Sequence, residues 1–328
     1  MSRSAARTIA VSVSVLSLAT GFTSEDAAAQ AYPAKPVRIV VAFVAGGGDD
    51  FHGRLMALKL TEVLGQQVIV ENRGGAGGFV GWEHVAKSAP DGYTLLLGGG
   101  SLTTVPSLRP NATFDVLRDF TGVSLISTFG LVLVVHPSVP AKNVRELIAL
   151  ARSKPGKLNY ASSGAGATPH LSAELFKHMA KLDMVHIPYK GGTPAFVDLI
   201  AGQIDMYFGV LAGALPQIRA GKVRALGVTA AKRTQSLPEV PTIAEAGLPG
   251  YELSSWYAIV GPGNLPRDVT LKLNAAVHKV VAMPDVRERL LNAGSEPEVN
   301  TPEQMAALIR TNVEKFGVII KTAGIKAD

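Results

Sequence analysis

The chain contains no cysteine, which excludes a disulfide framework and removes the thiol that would carry a lipid anchor behind an export signal. It has no uninterrupted apolar run of the ~20 residues that span a bilayer; the most apolar stretch, 8–22, is broken by Ser12, Ser14, Ser17, Thr20 and Gly21. No run of four or more lysines and arginines is present, so there is no stripe to track phosphates, and nucleic acid is not an expected partner. The seven histidines show neither an i,i+4 pair nor a His-x-His spacing, so no metal site and no cofactor are expected. Fixed-period repeats, low-complexity tracts and charge blocks are absent as well.

Among the features present, Arg3 and Arg7 precede the interrupted apolar stretch, which closes near Ala29-Gln30-Ala31. That order reads as a cleavable export signal over 1–31, with the mature chain starting near Tyr32 and free in the periplasm. The remaining roughly 300 residues suit two domains. Their 47% hydrophobic content can supply two cores, which excludes general disorder. The leader holds two basic and two acidic residues, so the formal net charge of +6 survives its removal and suits anionic ligands.

Short apolar runs at 37–43, 68–70 and 93–97 alternate with amphipathic ones at 51–64 and 80–87. The pattern resumes with strands expected at 131–136, 158–161, 184–188, 204–208, 223–229 and 256–260, and helices at 144–153, 171–180, 267–283 and 302–322. Strands that are apolar along their whole length predict an α/β fold with a mainly parallel sheet covered on both faces. Gly and Pro, 34 and 20 in number, cluster at predicted strand ends, where ligands collect in open α/β sheets.

Four such ends carry glycine-rich loops. After the first strand stand Ala45, Gly46, Gly47, Gly48, Asp49 and Asp50, a backbone nest suited to an oxygen anion. It is not a dinucleotide fingerprint, because Phe51 occupies the third small position. It is not a P-loop either, because Arg54 and Leu55 follow Gly53 in place of Lys and Ser/Thr. A plain strand-to-helix turn remains the competing reading. After residue 161 come Ser162, Ser163, Gly164, Ala165, Gly166, Ala167, Thr168, Pro169 and His170, with Thr168 as the expected N-cap and Pro169 as N1. Gly98 to Ser101, including Gly99, and Tyr189 to Gly192 complete the set. Two nests in each half of the chain are better explained by a shared cleft than by four independent turns. A secreted serine hydrolase using Ser162 or Ser163 with His170 is the enzymatic alternative. Its nucleophile elbow lacks the first glycine, since Tyr160 and Ala161 occupy the candidate positions.

At these loops the sequence resembles the Bug, or tripartite tricarboxylate transporter (TctC-like), family of periplasmic substrate-binding receptors. The matching motifs are Tyr32-Pro33-x-Lys35-Pro36, Gly46-Gly47-Gly48-x-Asp50, Val70-Glu71-Asn72-Arg73 with Gly75-Ala76-Gly77-Gly78, and Ala89-Pro90-Asp91-Gly92-Tyr93. Further on stand Lys154-Pro155-Gly156, Asn159-Tyr160-Ala161-Ser162-Ser163-Gly164, His186-x-Pro188-Tyr189-Lys190-Gly191 and Pro238-x-Val240-Pro241-Thr242. The resemblance implies a non-enzymatic, two-domain Venus-flytrap receptor of type II-like architecture. Its first domain would comprise 32–129 and 255–328, and its second 130–254, with hinges near Gly130 and near Leu253 to Ser255. It further implies a small organic carboxylate as ligand, two membrane transporter subunits of the tripartite type as partners, and a monomer. A sensor module for a membrane kinase would share the same binding chemistry.

Carried over by position, the carboxylate would be held by Val44 to Gly48 and by Ser162 to Thr168 with His170. The expected ligand-facing set is Phe43, Val44, Ala45, Gly46, Gly47, Gly48, Asp50, Phe51, His52, Gly99, Ser101, Ser162, Ser163, Gly164, Gly166, Ala167, Thr168, His170, Tyr189, Gly209 and Val210. Two departures from the family pattern bear on the ligand. Gly209 and Val210 replace an Asp-Asn pair, which removes a carboxylate that could meet a ligand ammonium. Phe51 and His52 replace small aliphatics, and Phe43 precedes the loop. Together they favour an apolar or aromatic mono- or dicarboxylate, such as a phthalate isomer, with a Phe43 or Phe51 ring face and His52 or Arg73 as distal charge partner.

Overall fold

The computed structural model describes residues 32–326; the expected leader, 1–31, lies outside the described residues. From Pro33 onward the chain is one compact unit organised on ten strands. These are β1 (Val37–Val41), β2 (Val68–Asn72), β3 (Thr94–Gly99), β4 (Phe120–Val135), β5 (Asn159–Ser162), β6 (Val185–Pro188), β7 (Met206–Val210), β8 (Arg224–Val228), β9 (Ser254–Pro262) and β10 (Ser295–Pro297). The main path runs β2-β1-β3-β9-β4-β7-β5-β6, with β8 and β10 also pairing β4.

The expected mainly parallel sheet is a mixed one. β1 pairs β2 and β3 in parallel, and β5 pairs β6 and β7 in parallel. Every pairing that involves β4 or β9 is antiparallel. β4 is the reason: residues 120–130 pair with β9, and from Leu131 onward the partners are β7 and β8. One strand therefore runs through both lobes. Only its second half, the unbroken Leu131–Val135 run, has a sequence signature. The first half is interrupted by Thr121, Gly122, Ser124, Ser127 and Thr128, yet Ser124 and Ser127 are fully buried.

Each lobe has its own apolar core. Val40, Leu96, Trp82, Trp256 and Val260 cluster in the first, and Val132, Val134, Leu199, Tyr207 and Leu215 in the second. At the crossover, Thr229 is fully buried. Its Oγ1 accepts from the Leu131 amide at 2.7 Å and donates to the Leu253 carbonyl at 2.6 Å, tying the two chain passages together.

Three boundaries differ from expectation in ways that shape the site. The helix expected at 51 begins at Gly48 and runs Gly48–Leu64, so Asp49 and Asp50 sit in its first turn. Ala167, not Thr168, is the N-cap of Thr168–Ala180. The helix expected to reach 283 is Arg267–Val281, because Pro284 starts a separate one, Pro284–Asn292. Among the described residues no helix is long and apolar enough to cross a membrane.

Candidate functional site

β1 delivers the chain into residues 43–47 and then into the helix Gly48–Leu64. Gly46 adopts φ +86°, a left-handed backbone that a side chain would resist. Asp50 fixes the turn. One of its oxygens accepts from the Gly46 amide and from Arg54 Nε, both at 2.9 Å, and the other accepts from Asn72 Nδ2 at 2.9 Å. Burial alone would raise its pKa, but these donors prevail and hold it below the ordinary carboxylate value. Both oxygens are committed, so Asp50 clamps the loop rather than facing a ligand.

Four helices begin at one cavity: Gly48–Leu64, Thr168–Ala180, Gly192–Ile200 and Leu211–Arg219. Their N-caps are Gly47, Ala167, Gly191 and Val210, and none of the four has a side-chain cap. Asn143, Thr242 and Thr301 cap Val144–Ser153, Ile243–Ala246 and Pro302–Ala323, while Phe79–Ala86, Arg267–Val281 and Pro284–Asn292 also lack a side-chain cap, so what sets the four apart is that they converge on one cavity. An uncapped N-terminus leaves N–H groups and partial positive charge available to an anion. The cavity has a volume of about 220 Å³. An apolar cavity of roughly 150 Å³ accepts benzene, so there is room for a ring-sized body with a small polar group.

Phe43, Phe129, Phe196, Val197, Ile200 and Val210 supply its apolar wall, and Ser101, Ser163, Thr168, Thr193, Gln217 and Ser255 its neutral polar groups. Asp49 also lines it, whereas no lysine, arginine or histidine does among the described residues. Burial lifts the Asp49 pKa to about 7; its own amide opposes the shift and the charge of Asp50 adds to it. Burial, and then the Asp49 charge, raise the Tyr207 and Tyr257 phenols above their usual range, so both are neutral donors. The Tyr257 ring lies between His52, at 3.9 Å, and Phe129, at 4.4 Å. Its hydroxyl is buried without a hydrogen-bond partner.

His52 is not a charge partner for a ligand. It is fully buried behind Tyr257, with Nδ1 donating to the Gly48 carbonyl at 2.7 Å and Nε2 accepting from Ser295 Oγ at 3.0 Å. Burial drops its pKa to about 4, against the opposing Gly48 bond, so the ring is a neutral wall support. Arg73 pairs with Glu71 and does not line the cavity. Phe51 packs edge-on to His52 and lines a separate shallow groove with Gly46, Gly47 and Arg289.

In the second lobe Ser163 and Thr168 line the cavity, and Ser162 and His170 stand behind it. Ser162 Oγ contacts His186 Nε2 at 2.6 Å and accepts from the Gly164 amide at 3.1 Å. His170 Nδ1 accepts from the Gly166 amide at 3.0 Å, and its ring stacks on His186 at 4.1 Å. The histidine on Ser162 is thus His186, and the Ser162–His170 pair of the hydrolase alternative is not formed. Gly164, Gly166 and Ala167 shape the loop without lining the cavity, and Ala45 likewise stays outside the lining. Tyr189 turns its hydroxyl to Asp198 at 2.6 Å. A Cβ on Gly209 would lie 2.5 Å from Phe196, so Gly209 makes room for that ring and does not itself line the cavity.

The loops of the two lobes meet over the cavity. Ser101 Oγ accepts from the Thr168 amide at 3.1 Å and lies 3.0 Å from Thr168 Oγ1; Thr104 Oγ1 donates to the Gly166 carbonyl at 3.1 Å. Of the expected residues, Phe43, Val44, Gly46, Gly47, Gly48, Gly99, Ser101, Ser163, Thr168 and Val210 line the cavity. Asp49, Phe129, Thr193, Phe196, Tyr207, Ser255 and Tyr257 line it too and escaped the sequence reading. Asp49 was within reach of it, as the residue after the glycines once the helix is started at Gly48. Tyr257 had no such signal, because only the pairing of β9 with β3 and β4 brings it there.

Residues 53–325 match the model of the tripartite tricarboxylate transporter family receptor. A Pseudomonas sp. (strain P51) protein from the tcbD-tcbE intergenic region is 39% identical over 307 residues, covering 92% of this chain and 91% of that one. BugT of Bordetella pertussis is 35% identical over 311 residues, covering 94% and 95%. Among solved structures, an R. palustris protein with adipate superposes with a TM-score of 0.87 at 36% identity, covering 90% of this chain and 99% of its own. MatC from Rhodopseudomonas palustris with bound malate gives 0.83 at 32% identity, covering 88% and 100%.

Proposed function

This chain belongs to the tripartite tricarboxylate transporter receptor family, whose members are periplasmic solute-binding proteins and not enzymes, and we propose that it captures a small organic carboxylate for membrane subunits of the tripartite type. The observation that carries this reading is the convergence of four helix N-termini without side-chain caps on one cavity. Backbone N–H groups and helix dipoles stabilise a carboxylate without a cationic side chain. The serine and threonine hydroxyls around them supply the remaining hydrogen bonds. Similar proteins have been solved with adipate and with malate, which accords with a small acid. The aromatic wall of Phe43, Phe129 and Phe196 favours a flat or apolar body.

In this reading 1–31 is a cleaved export signal and the receptor acts as a monomer. The domains are 32–129 with 255–328, and 130–254. They turn about the knot where Thr229 joins Leu131 to Leu253, next to Gly130 and Ser254. Closure brings Ser101 and Thr104 onto the loop 163–168 and excludes water from the bound carboxylate.

The test is thermal denaturation of the purified protein against a panel of mono- and dicarboxylates. A ligand at 100 times its Kd stabilises by about 2.7 kcal/mol, a shift of several degrees. A panel in which no organic anion stabilises the protein would sink the proposal.

A further inference from the structure

The cavity carries two polar clusters of different character. One is hydroxylic: Ser101, Thr168 and Ser255 are linked by contacts of 3.0 and 3.4 Å. The other is acidic and phenolic: Asp49, Tyr207 and Tyr257 line the same cavity, close enough for the Asp49 charge to act on both phenols. Ser255 and Tyr257 are two residues apart on β9, so the two clusters share one face of that strand, with the Cα atoms of these two residues about 7 Å apart.

The second cluster is incomplete. Tyr257 is 2% exposed and its buried hydroxyl has no hydrogen-bond partner, a state that native proteins rarely keep without a function. A Cβ on Gly48 would sit 2.8 Å from that hydroxyl and 2.8 Å from Val210 Cγ1, so a glycine there lets the hydroxyl lie against the start of the helix that carries Asp49. The Asp49 carboxyl accepts from its own amide and not from a side chain. The charged and titratable groups around it are Asp50, whose oxygens are taken by Gly46, Arg54 and Asn72, the two phenols, and His52, which is buried behind Tyr257. None offers a free positive charge.

A ligand with a second carboxylate would set that charge against Asp49 in a poorly hydrated site with no cation to offset it, which is unfavourable. A hydroxyl or ammonium would donate to Asp49 and engage the Tyr257 hydroxyl, completing both groups at once. Resting on the carboxylate-receptor reading above, we propose that Asp49 and Tyr257 form a second recognition point that takes a hydrogen-bond donor at the far end of the ligand. The favoured ligand is then a monocarboxylate with a hydroxyl or ammonium at the end opposite its carboxyl, not a dicarboxylate. The cleft carboxylate lost at Gly209 and Val210 is in effect resupplied from the first lobe by Asp49.

The test is titration calorimetry at about pH 8, where a carboxyl lifted to about 7 is mostly ionised, with two matched probe series. Benzoate, 4-hydroxybenzoate, 4-(aminomethyl)benzoate and terephthalate share one body; hexanoate, 6-hydroxyhexanoate, 6-aminohexanoate and adipate share another. The expected result is that the best donor-bearing probe binds at least about tenfold more tightly than its dicarboxylate counterpart. Asp49→Asn should remove most of that ratio, and Tyr257→Phe should weaken the donor-bearing probes while sparing those with an apolar end. A dicarboxylate that binds as tightly as the donor probes, or a ratio unchanged in Asp49→Asn, overturns the inference and leaves the carboxylate receptor standing. Failure of every probe and of the wider carboxylate panel removes the receptor reading itself, and the inference with it.

Discussion

Gly77 is where closure can be perturbed without touching the ligand. It lies in the loop after β2 with φ +68°, and a Cβ built on it falls 2.3 Å from the carbonyl oxygen of Ala165 in the loop after β5. Gly77→Ala should therefore act twice. The left-handed backbone costs an alanine about 1 kcal/mol whether the cleft is open or closed. The clash exists only where the two loops meet, and a backbone oxygen cannot swing aside. Separating the loops to relieve it stretches the Ser101–Thr168 and Thr104–Gly166 hydrogen bonds, each contributing about 1 kcal/mol. A total of about 2–3 kcal/mol lost from the closed state corresponds to a Kd roughly 30- to 150-fold weaker. Gly221→Ala is the control: its φ is also +68°, and its Cβ would meet nothing within 4 Å. The control should lose about 1 kcal/mol of stability with affinity unchanged. Calorimetry with whichever ligand the panel identifies, alongside ligand-free melting, separates the terms. An affinity of Gly77→Ala within about threefold of wild type would refute the reasoning. So would a ligand-free protein that loses the full ~3–4 kcal/mol, since the loops would then already be closed without ligand.

Ser101→Ala removes both of the contacts to Thr168 and should weaken binding about tenfold, read by calorimetry, with little change in the ligand-free melting temperature. Asp49 and His52 should give opposite pH dependences over the same window. The Asp49 pKa is raised from 3.8 to about 7, so its contribution is most favourable at low pH and is lost as pH rises towards 7. That of His52 is lowered from 6.5 to about 4, so stability is lost as pH falls from 6.5 towards 4. Linkage makes the His52 effect about 3 kcal/mol, and that of Asp49, which keeps some exposure to the cavity, about 2 kcal/mol after discounting for solvent. In melts from pH 4 to 8, Asp49→Asn should be stabilised at pH 8 and show a steeper acid loss than wild type; parallel profiles would contradict the Asp49 assignment, and an Asp49→Asn protein that loses no stability between pH 6.5 and 4 would contradict that of His52. Arg54→Ala leaves buried Asp50 with one donor fewer. It should cost about 1 kcal/mol at neutral pH, given the exposure of Arg54, and less once the pH falls through the lowered pKa of the carboxyl.

The α/β alternation and the cleft loops were legible because their signals are local. Unbroken apolar runs such as Val37–Val41 and glycines at strand ends report burial and turns within a few residues of themselves. Where the sequence misled, the cause was tertiary. Residues 120–130 look too polar for a buried strand, yet Ser124 and Ser127 are buried because β9 and β10 pair along them. His52 looks like a polar insertion into a ligand loop, but starting the helix at Gly48 carries it onto the buried face, where Ser295 and the Gly48 carbonyl hold it. His170 beside Ser162 in sequence suggested a dyad, and it is His186, from the neighbouring parallel strand β6, that meets Ser162. Pairings across strands of this kind have no counterpart in sequence spacing.

The same distinction changes what the glycine loops mean. Four nests reading one carboxylate would leave the glycines indifferent to the opposite lobe, but several are set by it. A Cβ on Gly164 would lie 2.8 Å from the Gly77 Cα, and one on Gly191 would lie 2.6 Å from Val44. Gly77, Gly164 and Gly191 combine a positive φ with a close approach of the opposite lobe, while Gly47, with open space around its Cβ position, is free to serve the ligand. Closure then has a protein–protein component that no ligand supplies. For ligand to control it, that component has to stay small, and a few hydrogen bonds of about 1 kcal/mol each against the cost of bending at the hinge meet the condition. A ligand that completes Asp49 and Tyr257 adds its increment only in the closed state, whereas a carboxylate bound by one lobe's N-terminus alone adds it in both. Selectivity between carboxylates is thus set by the groups that meet across the cavity, because only differential binding to the closed form shifts the population.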